Sequence, residues 1–283
     1  MGLEFHLIHL IQRHPGSEKG MQFIKWGTYF SSIPYLLKIF SLLWQNPGIF
    51  VLSISDKKCM IFYFVQTKGF ILKIISAAYE IMFIPDMSDL LQRIELAGRT
   101  CYKSEDKITD QSARDFVKRI MASGHLSVIE HIFLTIKFII DRGVSHELVR
   151  HRLASYSQES TRYANYSKNK FGNEITVIRP CFWSDTSPEF LEWKKAMEDS
   201  ENNYLKLIQM GARAEQARSV LPNSLKTEVV MTCNLREMRH VLLLRCSNAA
   251  HPQIREVMQP LLKDLHERIP VIFDDIYQSI FGN

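Results

Sequence analysis

The sequence predicts an α+β domain, a mixed sheet with segregated helices, preceded by an apolar N-terminal stretch. Three observations carry that expectation. Segments in which β-branched and aromatic residues recur with partial period-2 alternation, such as 131–140 and 226–233, are interspersed with segments whose apolar residues fall at helical spacing. Beyond residue 72 the organisation is alternating and compact, with strands interspersed among segregated helices. No internal repeat or low-complexity linker interrupts the pattern.

The elements follow in order. "KIISAAYEI" (73–81) is expected as a strand. "MSDLLQRIELAGRTCY" (87–102) carries Leu90, Leu91, Ile94, Leu96 and Ala97 at helical spacing. A second helix is expected in 109–124, with Thr109 as N-cap, a stripe of Phe116, Val117, Ile120 and Met121, and Gly124 as its stop. "HIFLTIKFII" (131–140) reads as a strand. Ser145 stands where an N-cap belongs, so "HELVRHR" (146–152) is expected as a short helix. Helices are expected at 188–210 and at 212–220, the latter ending before Pro222. "KTEVVMTC" (226–233) is a strand, Asn234 an N-cap, and 235–246 a helix. Two more helices begin near Pro252 and Pro270.

Residues 1–71 read differently from 72–283. Two apolar runs, 27–44 and 48–65, are rich in Phe, Ile, Leu and Tyr. A membrane-spanning helix needs about 20 mainly apolar residues. Pro34 and Lys38 interrupt the first run and Asp56-Lys57-Lys58 the second, so a membrane anchor is not the favoured reading. Neither run has the flanks of a secretory signal. The expectation is that this stretch is a dispensable extension or untranslated upstream sequence, with "LKIISAAYEI" opening the domain proper. The intact mass of the protein from its native source decides this, and a full-length mass overturns it.

Composition narrows the function. The 46% hydrophobic content of 283 residues is ample for a sizeable core. An excess of 35 Lys+Arg over 30 Asp+Glu, net +5, is too small to predict nucleic-acid binding. It fits a small polyanion, such as a nucleotide, in a local pocket. Cys59, Cys101, Cys181, Cys233 and Cys246 form no CxxC pair and no metal-finger spacing. Reduced thiols in the cytoplasm are expected, and no metal site.

The densest chemistry lies in "RHRLASYSQESTRYANYSK", from Arg150 to Lys168. Arg150-His151-Arg152 brings two cations and one potential cation side by side, a cost best offset by a bound anion. Arginine forks match phosphate oxygens bidentately. On a helix Glu147 and Arg150 would share a face, with Arg152 on another. Ser155, Tyr156, Ser157, Gln158, Ser160, Thr161, Arg162 and Tyr163 then offer donors, acceptors and flat rings for a phosphate, a sugar and a heterocycle. From the residues alone a solvated basic loop is an equal alternative. A nucleic-acid-binding module on the same stripe is a rival of another class. Glu147 and Glu159, interleaved with the arginines, argue against it.

The spacing Arg150-His151-Arg152, seven residues, Ser160 resembles the signature of flavin-dependent thymidylate synthase. The resemblance runs from about residue 72 to the C-terminus through "GHLSVIEH" (124–131), "ARSVLP" (217–222), "NLREMRHVLLLRC" (234–246) and "HPQIRE" (251–256). Taken singly, His125 and His131 read as core histidines, Arg218 as a partner of Glu215, and Asn234 as a cap. Together and in order they favour the enzyme.

The resemblance implies conversion of dUMP to dTMP, with methylenetetrahydrofolate as one-carbon donor and NADPH as reductant through FAD. It implies a homotetramer with sites shared between subunits. Carried over residue by residue, it assigns Ser127, Arg150, His151, Arg152, Gln158, Asn234, Arg236 and His240 to FAD. It assigns Glu147, Leu148, Val149, Arg150, Gln158, Glu159, Ser160, Thr161, Arg162, Arg218 and Arg245 to dUMP. Arg245 would be the catalytic group that polarises the pyrimidine. Ser160 has no evident His/Asp partner and is assigned to binding, not covalent catalysis. Gln158 stands where a glutamate often occurs, His240 where asparagine is more familiar, and the spacing from Arg245 to His251 is slightly long. A flavin oxidoreductase without transferase activity is the nearer alternative.

Overall fold

In a computed structural model, residues 72–282 are described apart from 169–171 and 173, together with the backbone of three strands before them. The chain divides into two compact units, Met1–Phe70 and Ile71–Asn283. In the first, β1 (Phe23–Trp26), β2 (Ile49–Ser55) and β3 (Cys59–Val65) form an antiparallel sheet in the order β1-β3-β2. The second apolar run thus supplies a strand pair. The first run lies outside the described residues.

The second unit is built on β6 (Phe133–Asp141) and β9 (Lys226–Asn234), paired antiparallel over their whole length from Phe133↔Asn234 to Asp141↔Lys226. Their inward residues alternate as the period-2 pattern requires. Leu134, Ile136, Phe138 and Ile140 of β6 and Val229, Met231 and Cys233 of β9 are all buried. Between them Thr135 and Thr232 join hydroxyls across the strands at 3.0 Å. β5 (Ala78–Phe83) flanks β6, and β7 (Ala154–Gln158) flanks β9.

The single strand expected at 73–81 is two. β4 (Lys73–Ile75) pairs parallel with β8 (Thr176–Ile178), and only β5 joins the large sheet. The reason is that the chain serves two cores. Leu72 and Ile74 pack with Ile175 and Val177 in a smaller cluster, whereas Tyr79 and Ile81 pack on the main one. β7 and β8 went unforeseen: "ASYSQ" turns only Ala154 and Tyr156 to the core, a weak alternation among polar residues, and "TVI" is too short to show a period.

Helices α1 (Met87–Tyr102) and α2 (Ser112–Ala122) cover the main core. Asp86 caps α1, its carboxylate accepting from Ser88 N at 3.0 Å. Thr109 does not cap α2: its own N–H donates to Ser112 Oγ (2.8 Å), and Gln111 holds the N-cap position. Gly124, at φ +69°, follows the helix end as expected of a stop.

The correction with functional weight concerns α3. It spans Arg142–Leu148 and is capped by Asp141, whose Oδ1 accepts from Val144 N at 2.6 Å. Ser145 sits inside the helix and donates back to Arg142 O. Arg150-His151-Arg152 therefore follows the helix in a turn. Tyr156 explains the stop, since its hydroxyl lies 2.8 Å from the carbonyl oxygens of both Leu148 and His151.

The remaining helices are α4 (Pro188–Gln209), α5 (Ala214–Ala217, prolonged by a 3-10 turn to Val220), α6 (Leu235–Arg245), α7 (Pro252–Arg268) and α8 (Pro270–Phe281). Asn234 caps α6 as expected, accepting from Glu237 N at 2.8 Å. Gly98 of α1 lets Phe116 of α2 close against the helix. A Cβ at Gly98 would stand 2.6 Å from Phe116 Cε1 and Cζ. Gly98→Ala is expected to destabilise by about 1–3 kcal/mol despite its better helix propensity, read as a lower urea midpoint.

Candidate functional site

α3 and α6 leave opposite ends of the β6–β9 ladder, and their C-terminal ends meet. Arg245, the last residue of α6, makes the joint. Its Nε donates to His151 Nε2 (3.0 Å), one terminal nitrogen to Glu147 Oε2 (2.8 Å) and the other to Glu147 O (3.1 Å). A guanidinium has five N–H donors in a fixed fork, so three bonds leave about two N–H groups for a ligand.

This geometry fixes the state of His151. Arginine can only donate, so Nε2 must accept, and the ring proton sits on Nδ1, 3.6 Å from Glu237 Oε1. Burial lowers the His151 pKa to about 4, and the charges of Arg245, His240 and Arg150 push the same way. His151 is thus a buried neutral ring and not the third cation that its neighbours suggest. Burial also raises the pKa of the Glu237 carboxyl, and because the His151 ring is neutral the two do not form an ion pair.

Unfolded His151 takes up a proton near pH 6.5 and the folded ring only near 4, so stability is complete above 6.5 and is lost as pH falls to 4. The loss is about 3 kcal/mol, at 1.36 kcal/mol per unit. His151→Phe is expected to flatten the urea midpoint across that window.

His151 and Arg245 line a cavity of about 450 Å³ with Arg150, His240, Leu244 and Ser247. The His240 ring meets His151 edge-on at 5.8 Å. The cationic side chains of Arg150 and Arg152 are exposed, as is that of Val149, while Leu148 is buried in the main core.

The other expected residues form separate groups. Arg218 donates to Thr161 Oγ1 at 3.3 Å, joining the residues after β7, and Glu215 pairs with Arg213 instead. Ser160 Oγ accepts from Arg162 N (3.3 Å), and the Arg162 guanidinium lies over Tyr163. Gln158 Nε2 is held by Ser145 Oγ (2.9 Å) and Thr227 Oγ1 (3.2 Å). Both oxygens of Glu159 are engaged, by Tyr166 and Lys226. Arg236, beside the cap Asn234, bridges to Glu130 at 2.5 Å, and exposed Ser127 lies in the same 3-10 turn as Glu130. That group sits at the start of α6, with Arg236 about 14 Å along the helix from Arg245 at 1.5 Å per residue.

Sequence reading missed Glu237 and Leu244, and it offered Tyr156 as a ligand group, not as the residue that ends α3. Glu237, His240 and Leu244 share one face of α6 at helical spacing, a signal present in "LREMRHVLLLRC". The part Tyr156 plays gave no signal, because its hydroxyl meets carbonyls that only the fold brings to it.

A family model described as "Thymidylate synthase complementing protein" matches residues 83–271. The chain belongs to that family. Flavin-dependent thymidylate synthase of Geobacter sulfurreducens is 36% identical over 189 residues, covering 64% of this chain and 80% of the relative. That of Pyrococcus furiosus is 34% identical over 174 residues, covering 60% and 70%. A crystal structure of a UMP/dUMP methylase, PolB from Streptomyces cacaoi, bound with 5-Br dUMP, aligns with TM-score 0.59 at 25% identity, covering 75% of this chain and 98% of that one. Membership in the thymidylate synthase complementing protein family bears out the resemblance drawn from Arg150 to Ser160, and the fold bears out the α+β class. Among the described residues no helix is long and apolar enough to cross a membrane.

Proposed function

We propose that the protein is a flavin-dependent thymidylate synthase. It would convert dUMP to dTMP in the cytoplasm, taking the one-carbon unit from methylenetetrahydrofolate and reducing equivalents from NADPH through FAD. The observation that carries this reading is Arg245, fixed by Glu147 and His151 at the wall of a 450 Å³ cavity in a member of this family. Cavities of roughly 300–1,000 Å³ hold small ligands.

The residues present fit a flavin nucleotide. Exposed guanidiniums of Arg150, Arg152 and Arg236 offer forks for a pyrophosphate. His240 offers a ring edge beside His151. When bound, the flavin supplies hydride. Arg245 acts on the pyrimidine: its remaining N–H groups stabilise negative charge at the N3–O4 edge, which makes C5 a carbon nucleophile. It stays protonated throughout and removes no proton. Ser160, Arg162 and Arg218 meet the nucleotide phosphate.

No protein thiol is needed. Cys233 and Cys246 are buried, which pushes both thiols up to about 12, far from the thiolate a nucleophile requires. The spread of the flavin residues over both ends of α6 fits sites completed by a second subunit, as in a homotetramer. Residues 1–71 are read as an extension that chemistry at these groups does not use.

The test is to purify the full chain, record flavin absorbance and follow NADPH oxidation with and without dUMP and methylenetetrahydrofolate. dUMP-dependent dTMP formation is expected. NADPH oxidation indifferent to dUMP, with no dTMP, would establish the oxidoreductase alternative. Protein that takes up no FAD would end both. Ser160→Ala is expected to retain measurable turnover with a raised KM for dUMP, because its hydroxyl binds and does not attack.

A further inference from the structure

We propose that Lys226 and Tyr166 are positioning residues for the nucleotide phosphate, acting through Glu159, which anchors the phosphate-binding turn and is not itself a ligand. The inference rests on the reading of Ser160, Arg162 and Arg218 as phosphate-binding residues.

Glu159 follows the last residue of β7 directly and precedes Ser160. Its backbone N–H donates to Glu228 O at 2.8 Å, which extends the ladder by one residue. Each oxygen of its carboxylate has a partner. Tyr166 donates its hydroxyl to Oε1 at 3.2 Å, and Lys226 Nζ lies 2.9 Å from Oε2. Lys226 also holds Glu228 Oε1 at 2.9 Å, so one ammonium bridges two carboxylates on neighbouring strands.

Tyr166 is itself anchored, only 4% exposed, in the smaller core beside Tyr204. The chain from Ser160 to Tyr166 therefore leaves the sheet at Glu159 and is fastened back to Glu159 at its far end. Within that closed turn, Ser160 O accepts from Tyr163 N and Ala164 N, and Thr161 is buried against Arg218. Ser160 Oγ and the Arg162 guanidinium are carried on a loop with both ends tied. A loop so closed loses little entropy when an anion binds.

The clamp has an electrostatic part too. A carboxylate one residue from a phosphate-binding serine would repel the phosphate dianion. Lys226 and the Tyr166 hydroxyl, one on each carboxylate oxygen, offset that charge.

The variants are Tyr166→Phe, Lys226→Met and Lys226→Arg in the full chain. Lys226 and Glu159 line a second cavity of about 360 Å³, which leaves room for methionine. Dissociation constants for dUMP by calorimetry, KM and kcat, flavin uptake and Tm are measured. Lys226→Met is expected to raise both Kd and KM for dUMP about tenfold, equivalent to 1.4 kcal/mol, and Tyr166→Phe about threefold to tenfold. In both, kcat stays within about twofold and flavin uptake is unchanged, while Lys226→Arg stays near wild type. Unchanged dUMP affinity in both variants overturns the clamp. So does a joint fall of kcat, flavin uptake and Tm with no selective loss of dUMP, which is the mark of a structural role. Wild-type protein that binds no dUMP overturns the functional reading itself, and that outcome is visible before any variant is made.

Discussion

Arg245→Ala is expected to lower dTMP formation by about 10³-fold or more while the protein stays folded. Removing one preorganised donor aimed at developing negative charge costs about 10²–10³-fold in rate. Arg245 has two such donors to give, because its other three hold Glu147 and His151. Truncation also releases the groups that orient the cavity wall. The Glu147 carboxylate loses its ion pair at 2.8 Å, and the half-buried acid beside a bound anion adds repulsion where there was attraction. His151 Nε2 loses its donor but stays neutral. The fall should therefore appear in kcat more than in flavin uptake.

Arg245→Lys separates charge from geometry. Lysine keeps the cation but has no planar fork, so it cannot hold Glu147 and His151 and still present two donors. Activity within tenfold of wild type in Arg245→Lys would mean that charge alone suffices, and the geometric argument would fail. Turnover in Arg245→Ala comparable with that of Ser160→Ala would remove the distinction between catalytic and binding residues altogether.

The strands and helices that could be read from the sequence are those that carry their own period. β6, β9, α1 and α6 each bury one face on the main core, and the alternation or stripe records it. The caps of α6 and of the final helices were visible because Asn234, Pro252 and Pro270 act locally. What could not be read depends on distant partners. Ser145 has the chemistry of an N-cap, but Asp141 precedes it at the strand end with a carboxylate, the stronger acceptor, and takes that role. The helix expected through Arg152 stops at Leu148 because the Tyr156 hydroxyl takes the carbonyls of Leu148 and His151, a contact that exists only once β7 is paired.

The candidate site divides along the same line. Residue types in the Arg150–Ser160 spacing were legible, and so was the family. Their states were not: that His151 is neutral follows from the position of Arg245, 94 residues away, and that Glu159 is engaged follows from Lys226, 67 residues away. Linear charge counting cannot see which cation a distant acid or ring will meet.

The largest stability effect is expected away from the site, at Glu95. This carboxylate is 1% exposed in α1, accepts from Arg99 Nε and a terminal nitrogen at 3.1 and 2.9 Å, and accepts from Ser112 Oγ at 2.8 Å. Arg99 is 8% exposed and stacks over Phe116, 4.7 Å from the ring centre. The pair thus joins α1 to the start of α2 inside the core. Deleting one member of a buried pair strands the other charge away from water, which costs about 3–5 kcal/mol. For Glu95→Ala this amounts to a Tm lowered by roughly 6–20 °C, at about 2–4 °C per kcal/mol. The double variant Glu95→Ala/Arg99→Met is expected to recover most of the loss, because methionine fills the space over Phe116 and leaves no charge to solvate. If the double variant is no more stable than Glu95→Ala, the cost came from lost packing and from the freed Ser112 hydroxyl, not from the stranded guanidinium. Flavin uptake and dUMP affinity below the melting range should be unchanged in the double variant, since no part of this pair touches the cavity at Arg245.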